Sequence, residues 1–157
     1  FDTNFPTMFN AVSGGILHYG HRNIFTATNL LGQHLPVNSA TILKFKNVEP
    51  IDGNAYYYSC YSANTGVFTV PAGGLKSVTV HVEADFLAAR PNSEFIVLKN
   101  GAIQIGRVGV YGRYTSNTFY LGDLPAGTTI ALRFQNMDTS FSVGSTYTDY
   151  MTISAAN

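Results

Sequence analysis

The chain has 157 residues, and its nine basic and nine acidic side chains cancel to a formal charge of zero. A chain of this length fits one domain that buries roughly 70% of its unfolded surface, so a core forms without disulfide or metal staples. Nucleic acid and anionic membranes are excluded as partners because both call for a basic surplus, and no apolar run approaches the ~20 residues of a membrane-spanning helix.

Ten Tyr, eleven Phe and fifteen Gly, with abundant Thr and Val, mark a β-rich chain. Helical periodicity is absent, whereas β-favouring runs separated by turn residues recur. The first segment, residues 1–22, is broken by Pro6, Gly14, Gly15 and Gly20 and reads as an irregular arm, a linker, or a segment docked on a partner. Its start, Phe1-Asp2-Thr3-Asn4, lacks the basic and apolar regions of a signal peptide. A head domain is expected over residues 23–157. Its predicted strands are Ile24–Thr28, Ala40–Lys46, Tyr56–Tyr61, Val67–Val70, Lys76–Phe86, Glu94–Lys99, Ala102–Val108, Asn117–Leu121, Thr128–Gln135 and Tyr147–Ser154. Ten short strands in this length favour a sandwich or barrel.

Three connections are informative. In Thr65–Gly74, a β run reaches Pro71, which removes a backbone donor, and Gly73 and Gly74 then allow the positive φ of a tight corner. After it Val78, Val80 and Val82 alternate with Thr79, His81 and Glu83, giving one core face and one wetter face. Asn100-Gly101 is the residue pair of a type I′ hairpin. Asp123 to Gly127, with Pro125 preset for a turn, predicts a second hairpin. In the strand that follows, Arg133 falls on the less buried face.

No catalytic residues are nominated. The four His and six Asp accompany no Gly-x-Ser-x-Gly turn and no Cys beside a His, and the carboxylates form no distinctive pair. Cys60, the single cysteine, reads as a buried thiol. His18 and His21 lack further ligands at zinc spacing, and only three-fold symmetry would make a site from His18, His21 or His34. No Asp/Asn-dense calcium loop is present. No metal and no cofactor are expected.

The order TGVFTVPAGG, FIVLKNG, YLGDLPAGTTIALRF and a closing YTDYMTI resembles the globular heads of the complement-subunit and tumour necrosis factor superfamily. Thr65, Gly66, Phe68, Thr69, Pro71 and Gly74 match the family's first element, Lys99, Asn100 and Gly101 its second, and Leu124, Ala126 and Gly127 its third. The chain departs from the pattern where Leu75 and Lys76 follow Gly74, where Thr128 replaces an Asp, and where Tyr147, Tyr150 and Met151 stand in for phenylalanines. The cysteine-poor VPAGG form is similar to heads on bacteriophage and other virion appendages or on bacterial surface filaments.

The resemblance implies an all-β, ten-stranded antiparallel jelly-roll sandwich that associates as a homotrimer. Phe119, Leu121, Tyr147, Tyr150 and Met151 are the expected trimer contacts, although each could equally be core. The loops 54–62 and 108–116 then form an exposed tip, where Tyr56, Tyr57, Tyr58, Tyr61, Tyr111, Arg113 and Tyr114 would bind a ligand. The implied role is a non-enzymatic attachment module at the cell exterior or virion surface, with a host glycan or protein as partner. A cement protein held by neighbouring virion or filament subunits, and a secreted ligand or lectin-like protein, are the alternatives.

Overall fold

The alternating run that begins at Leu75 becomes an eleven-residue strand of a two-sheet sandwich, seen in a computed structural model that describes residues 21–49, 55–144 and 149–156. In chain order the strands are β1 (Arg22–Leu30), β2 (Gln33–Leu35), β3 (Ser39–Ile42), β4 (Phe45–Glu49), β5 (Tyr61–Ser62), β6 (Val67–Thr69) and β7 (Leu75–Asp85). They continue as β8 (Arg90–Lys99), β9 (Ile103–Val110), β10 (Tyr114–Leu124), β11 (Thr129–Asn136), β12 (Phe141–Val143) and β13 (Tyr150–Ala155). The first sheet is ordered β10-β7-β13-β1-β4; the second is β5-β6-β11-β8-β9, with β3 also paired to β11. β2 and β12 form a separate ribbon. From β6 onward the chain changes sheet at β6–β7, β7–β8, β9–β10 and β10–β11, the winding of a jelly roll. The expected all-β jelly-roll sandwich is therefore the fold.

Phenylalanines join the sheets. Phe25 of β1 lies 5.0 Å from Phe68 of β6, and Phe86, just past β7, lies 4.7 Å from Phe134 of β11 and 6.2 Å from Phe95 of β8. All five are fully buried. Each contributes roughly 1.5–3 kcal/mol by leaving water, with about 1 kcal/mol more for a well-placed ring pair. The valines of β7 fill the space between them, as their alternation requires.

Several local expectations change. The expected strand at Tyr56–Tyr61 is a 3-10 helix over Ala55–Cys60, followed by the short β5. Tyr57 and Cys60, three apart and so on one face of a 3-10 turn, both pack against the core. Consecutive bulky residues without alternation gave a strand no polar face to present. The expected strand Ala40–Lys46 divides into β3 and β4, which belong to opposite sheets. At the crossing, the Gln33 side chain donates to Ile42 O at 2.9 Å and accepts from Lys44 N–H at 2.8 Å, satisfying backbone groups that leave one ladder before joining the next.

At the hairpin between β8 and β9, Asn100 and Gly101 have φ of 53° and 74°, the two positive values read from their pairing. Lys99 pairs with Ile103, so the loop holds one residue more than expected. Asp123 to Gly127 does not close a hairpin. It carries the chain from β10 in the first sheet to β11 in the second. It packs beside the other crossover, with Val70 N–H donating to Thr128 O at 2.8 Å and Gly127 N–H to Val70 O at 2.9 Å. A side chain at Gly74 would meet Leu124 O at 2.8 Å. The motifs VPAGG and LPAG are thus two corners in contact. The arm expected over residues 1–22 lies outside the described residues except for His21 and Arg22. Arg22 already begins β1, and His21 Nε2 donates to Ser77 O at 3.0 Å.

Gly66 answers to the same kind of constraint. It has φ of +75°, donates its N–H to Ser62 O at 2.8 Å, and would place a Cβ 2.5 Å from Leu43 O. Gly66→Ala is expected to destabilise the fold by at least about 2 kcal/mol, through left-handed strain and backbone collision together. Urea denaturation checks this; an unchanged midpoint would contradict it.

Candidate functional site

β7 ends on Asp85, whose side chain has no exposed surface. Burying a carboxylate requires compensation. Arg113, in the turn between β9 and β10, supplies it with a two-pronged contact, Nε to Oδ1 and Nη2 to Oδ2, both at 2.9 Å. Leu87 N–H adds a third bond at 2.8 Å, from a residue with a left-handed φ of 68°. The Asp85 N–H donates to Asp149 Oδ1 at 2.7 Å, and Phe86 N–H to Arg113 O at 2.9 Å. The hydrogen bonds from Arg113 hold the Asp85 carboxyl below the usual carboxylate range although burial opposes them, and Asp85 in turn raises the Arg113 guanidinium.

This clamp fixes a turn that presents aromatic rings to solvent. The Arg113 guanidinium carbon lies 5.1 Å from the Tyr114 ring centre. Tyr111 lies against Gly109 so closely that a Cβ there would sit 2.5 Å from the ring. Tyr111 and Tyr114 are nevertheless 78% and 66% exposed. Beside Tyr111 is an open cleft of about 320 Å³ lined by Asn92, Ser93, Glu94, Arg107 and Gly109. Arg107 Nε donates to Glu94 Oε2 across its floor. Asp138 secures one wall, accepting from Ser93 Oγ at 2.6 Å and from Asn92 Nδ2 at 3.0 Å.

A second polar cluster, which sequence reasoning missed, lies on the outer face of the first sheet. Glu83 Oε2 accepts from Tyr150 OH at 2.7 Å, from His81 Nε2 at 3.0 Å and from Ser116 Oγ at 3.4 Å. Thr118 Oγ1 is 2.7 Å from His81 Nδ1. The bonds from His81 and then Tyr150 hold Glu83 below the usual carboxylate range, while the bond to Glu83 pushes the Tyr150 hydroxyl up. Hydroxyl, imidazole and carboxylate stand in the order of a hydrolytic triad. The surroundings do not match, because the face is open sheet and the pocket beside Glu83 is about 70 Å³, well below the ~300 Å³ at which substrate-sized sites begin. The cluster was legible only as alternation on β7 plus the register that sets Thr118 opposite His81 and Tyr150 opposite Glu83.

The structure separates the expected tip residues. Tyr111, Arg113 and Tyr114 share the β9–β10 edge. Tyr56 and Tyr58, exposed on the 3-10 helix, belong to the opposite edge, beside β5. Tyr57 is half-buried against the core. Tyr61, expected at the exposed tip, is buried; its hydroxyl accepts the Phe45 N–H at 3.0 Å, and burial pushes its pKa up. Cys60 is a free thiol, partly buried and raised in pKa by that burial.

The expected trimer contacts divide by strand parity. Met151 is buried within the protomer, and Phe119 and Leu121 point inward onto the core, Phe119 at 6.2 Å from Phe95 and against Gly106. The outward positions of β10 are Thr118 and Tyr120, the latter 65% exposed. Tyr150 faces outward on β13, and Tyr147 lies outside the described residues. Among the described residues no group of three or more His, Cys, Asp or Glu could hold a metal ion, and no helix is long and apolar enough to cross a membrane. His18 lies outside the described residues, and His34 is exposed on β2.

No family model and no curated protein matches the chain in sequence. Among solved structures, the fold is similar to that of Eiger TNF from S. frugiperda, with a TM-score of 0.50 and 11% identity, covering 86% of this chain and 93% of that one. The likeness is one of fold.

Arg113→Ala strands the Asp85 carboxylate and is expected to lower stability at neutral pH. Because the folded Asp85 pKa is depressed, the pair stabilises above the ordinary carboxylate value of about 4 and its contribution is lost as pH falls through the lower folded value. Urea denaturation should therefore show a wide gap between wild type and variant at pH 7 and a narrower one near pH 3. Equal gaps would contradict the clamp.

Proposed function

We propose that the chain is a non-enzymatic recognition head. It assembles as a homotrimer, stands at the cell exterior or virion surface on a spike, tail fibre or filament, and binds a host-surface glycan or protein. The observation that carries this reading is the turn from Tyr111 to Tyr114. Two large aromatic rings are displayed to solvent beside a guanidinium that a buried carboxylate grips at two points, while Phe86 N–H holds the Arg113 carbonyl. Such groups offer wide contact and hydrogen bonding with little entropy left to lose, the chemistry of recognition surfaces.

The jelly-roll fold and its likeness to a tumour necrosis factor structure support a ligand-like domain of this kind. The outer face of β10, β7 and β13 suits association. It carries Thr118, Tyr120, Tyr150 and Thr152, and its Glu83 already has partners in His81 and Tyr150. Few unpaired charges need be stripped of water when such a face is covered. Three copies at fixed geometry would convert weak single contacts into firm attachment.

Light scattering on the intact chain should return about three times 17.0 kDa. Tyr120→Glu, which sets a charge on the covered face, should return a folded monomer. A wild-type monomer would contradict the assembly.

A further inference from the structure

We infer that the cleft bounded by the start of β8, the end of β9 and Tyr111 binds a neutral hexopyranose, an inference that rests on the recognition reading and gives it a ligand class. The Tyr111 ring stands beside this cleft, 78% exposed, with the hydroxyl end of the ring so near Gly109 that a Cβ there would come within 2.5 Å of it. A pyranose presents a face of C–H bonds that packs flat on an aromatic ring, and a rim of hydroxyls that each donate and accept.

The cleft supplies the matching rim. Glu94 accepts, Arg107 donates, and Asn92 can do both. Arg107 uses Nε for Glu94, and its Nη groups form no further hydrogen bond among the described residues. Asn92 is held through Nδ2 by Asp138, and its Oδ1 accepts no bond among the described residues. These side chains are positioned before any ligand arrives, which lowers the cost of ordering them.

Charge decides between ligand classes. The one cation of the cleft, Arg107, is already paired with Glu94, so no cationic excess remains for a phosphate or a carboxylate and no free acid for a cation. An apolar ligand would strip water from Asn92, Ser93, Glu94 and Arg107 without returning their hydrogen bonds. A volume of about 320 Å³ lies at the small end of ligand sites and suits one or two sugar rings.

The test is titration of the chain, labelled with nitrogen-15, with the methyl glycosides of glucose, galactose, mannose and N-acetylglucosamine, read by amide and Arg Nε–H chemical shifts. At least one glycoside should produce saturable millimolar shifts centred on Gly109, Arg107 and Asn92. Tyr111→Ala should weaken binding at least about tenfold, Tyr111→Phe should retain it, and Gly109→Ala, which lifts the ring, should reproduce the loss. Absence of saturable shifts with all four sugars, shifts centred elsewhere, or equal response of the same residues to sodium phosphate would overturn the assignment. A trimer by light scattering that ignores all four sugars sinks the hexose site alone. A monomer that binds one of them sinks the assembly and leaves the cleft standing.

Discussion

Contact between phenylalanines across the two sheets is what the rest of the molecule depends on. Phe25 against Phe68 closes one part of the sandwich, and Phe86 against Phe134 and Phe95 closes another. Phe86 immediately follows Asp85, so the ring that seals the core also fixes where the carboxylate sits. Arg113 must meet that carboxylate, and in doing so aims the turn carrying Tyr111 and Tyr114. Core packing, the clamp and the exposed rings are consecutive links of one chain of constraint.

Much of the fold was legible because its strongest signals are local. Alternation in β7, the Asn-Gly pair, and Pro followed by Gly at the end of β6 each report a backbone geometry that few residues permit. Gly66 and Gly74 sit where backbone oxygens approach the place a Cβ would stand. What the sequence hid was non-local. Whether Asp123 to Gly127 closes a hairpin or crosses between sheets is decided by the partners β10 and β11 find, and those partners are far away in sequence. The division of Ala40–Lys46 likewise depends on Gln33, whose amide serves both sides of the crossing.

The candidate site was legible in part for the same reason. Tyrosine and arginine clustering marked the turn from Tyr111 to Tyr114, but nothing local indicated that Asp85 would hold it or that Glu94 and Arg107 would pair beside it. The tyrosines at 56–61 scattered because a period of three, not two, governs them, and Tyr61 is claimed by the Phe45 backbone. Parity decides which of the expected contact residues lie outside the protomer. Phe119, Leu121 and Met151 attract attention as apolar groups and for that reason turn inward, leaving Thr118, Tyr120 and Tyr150 as the groups outside. The His81–Glu83–Tyr150 cluster depends wholly on cross-strand register, which single-strand patterning does not carry.

In the proposed head, recognition at one edge and association through the β10–β7–β13 face would make opposite demands on similar residues, since Tyr111 and Tyr120 are both widely exposed in one protomer. Tyrosine-specific nitration of the intact chain, read residue by residue by mass spectrometry, separates them in one measurement. Fast nitration of Tyr111 with protection of Tyr120 is the expected result. Tyr120 reacting as fast as Tyr111 would mean that its face is open in solution and would contradict the assembled head.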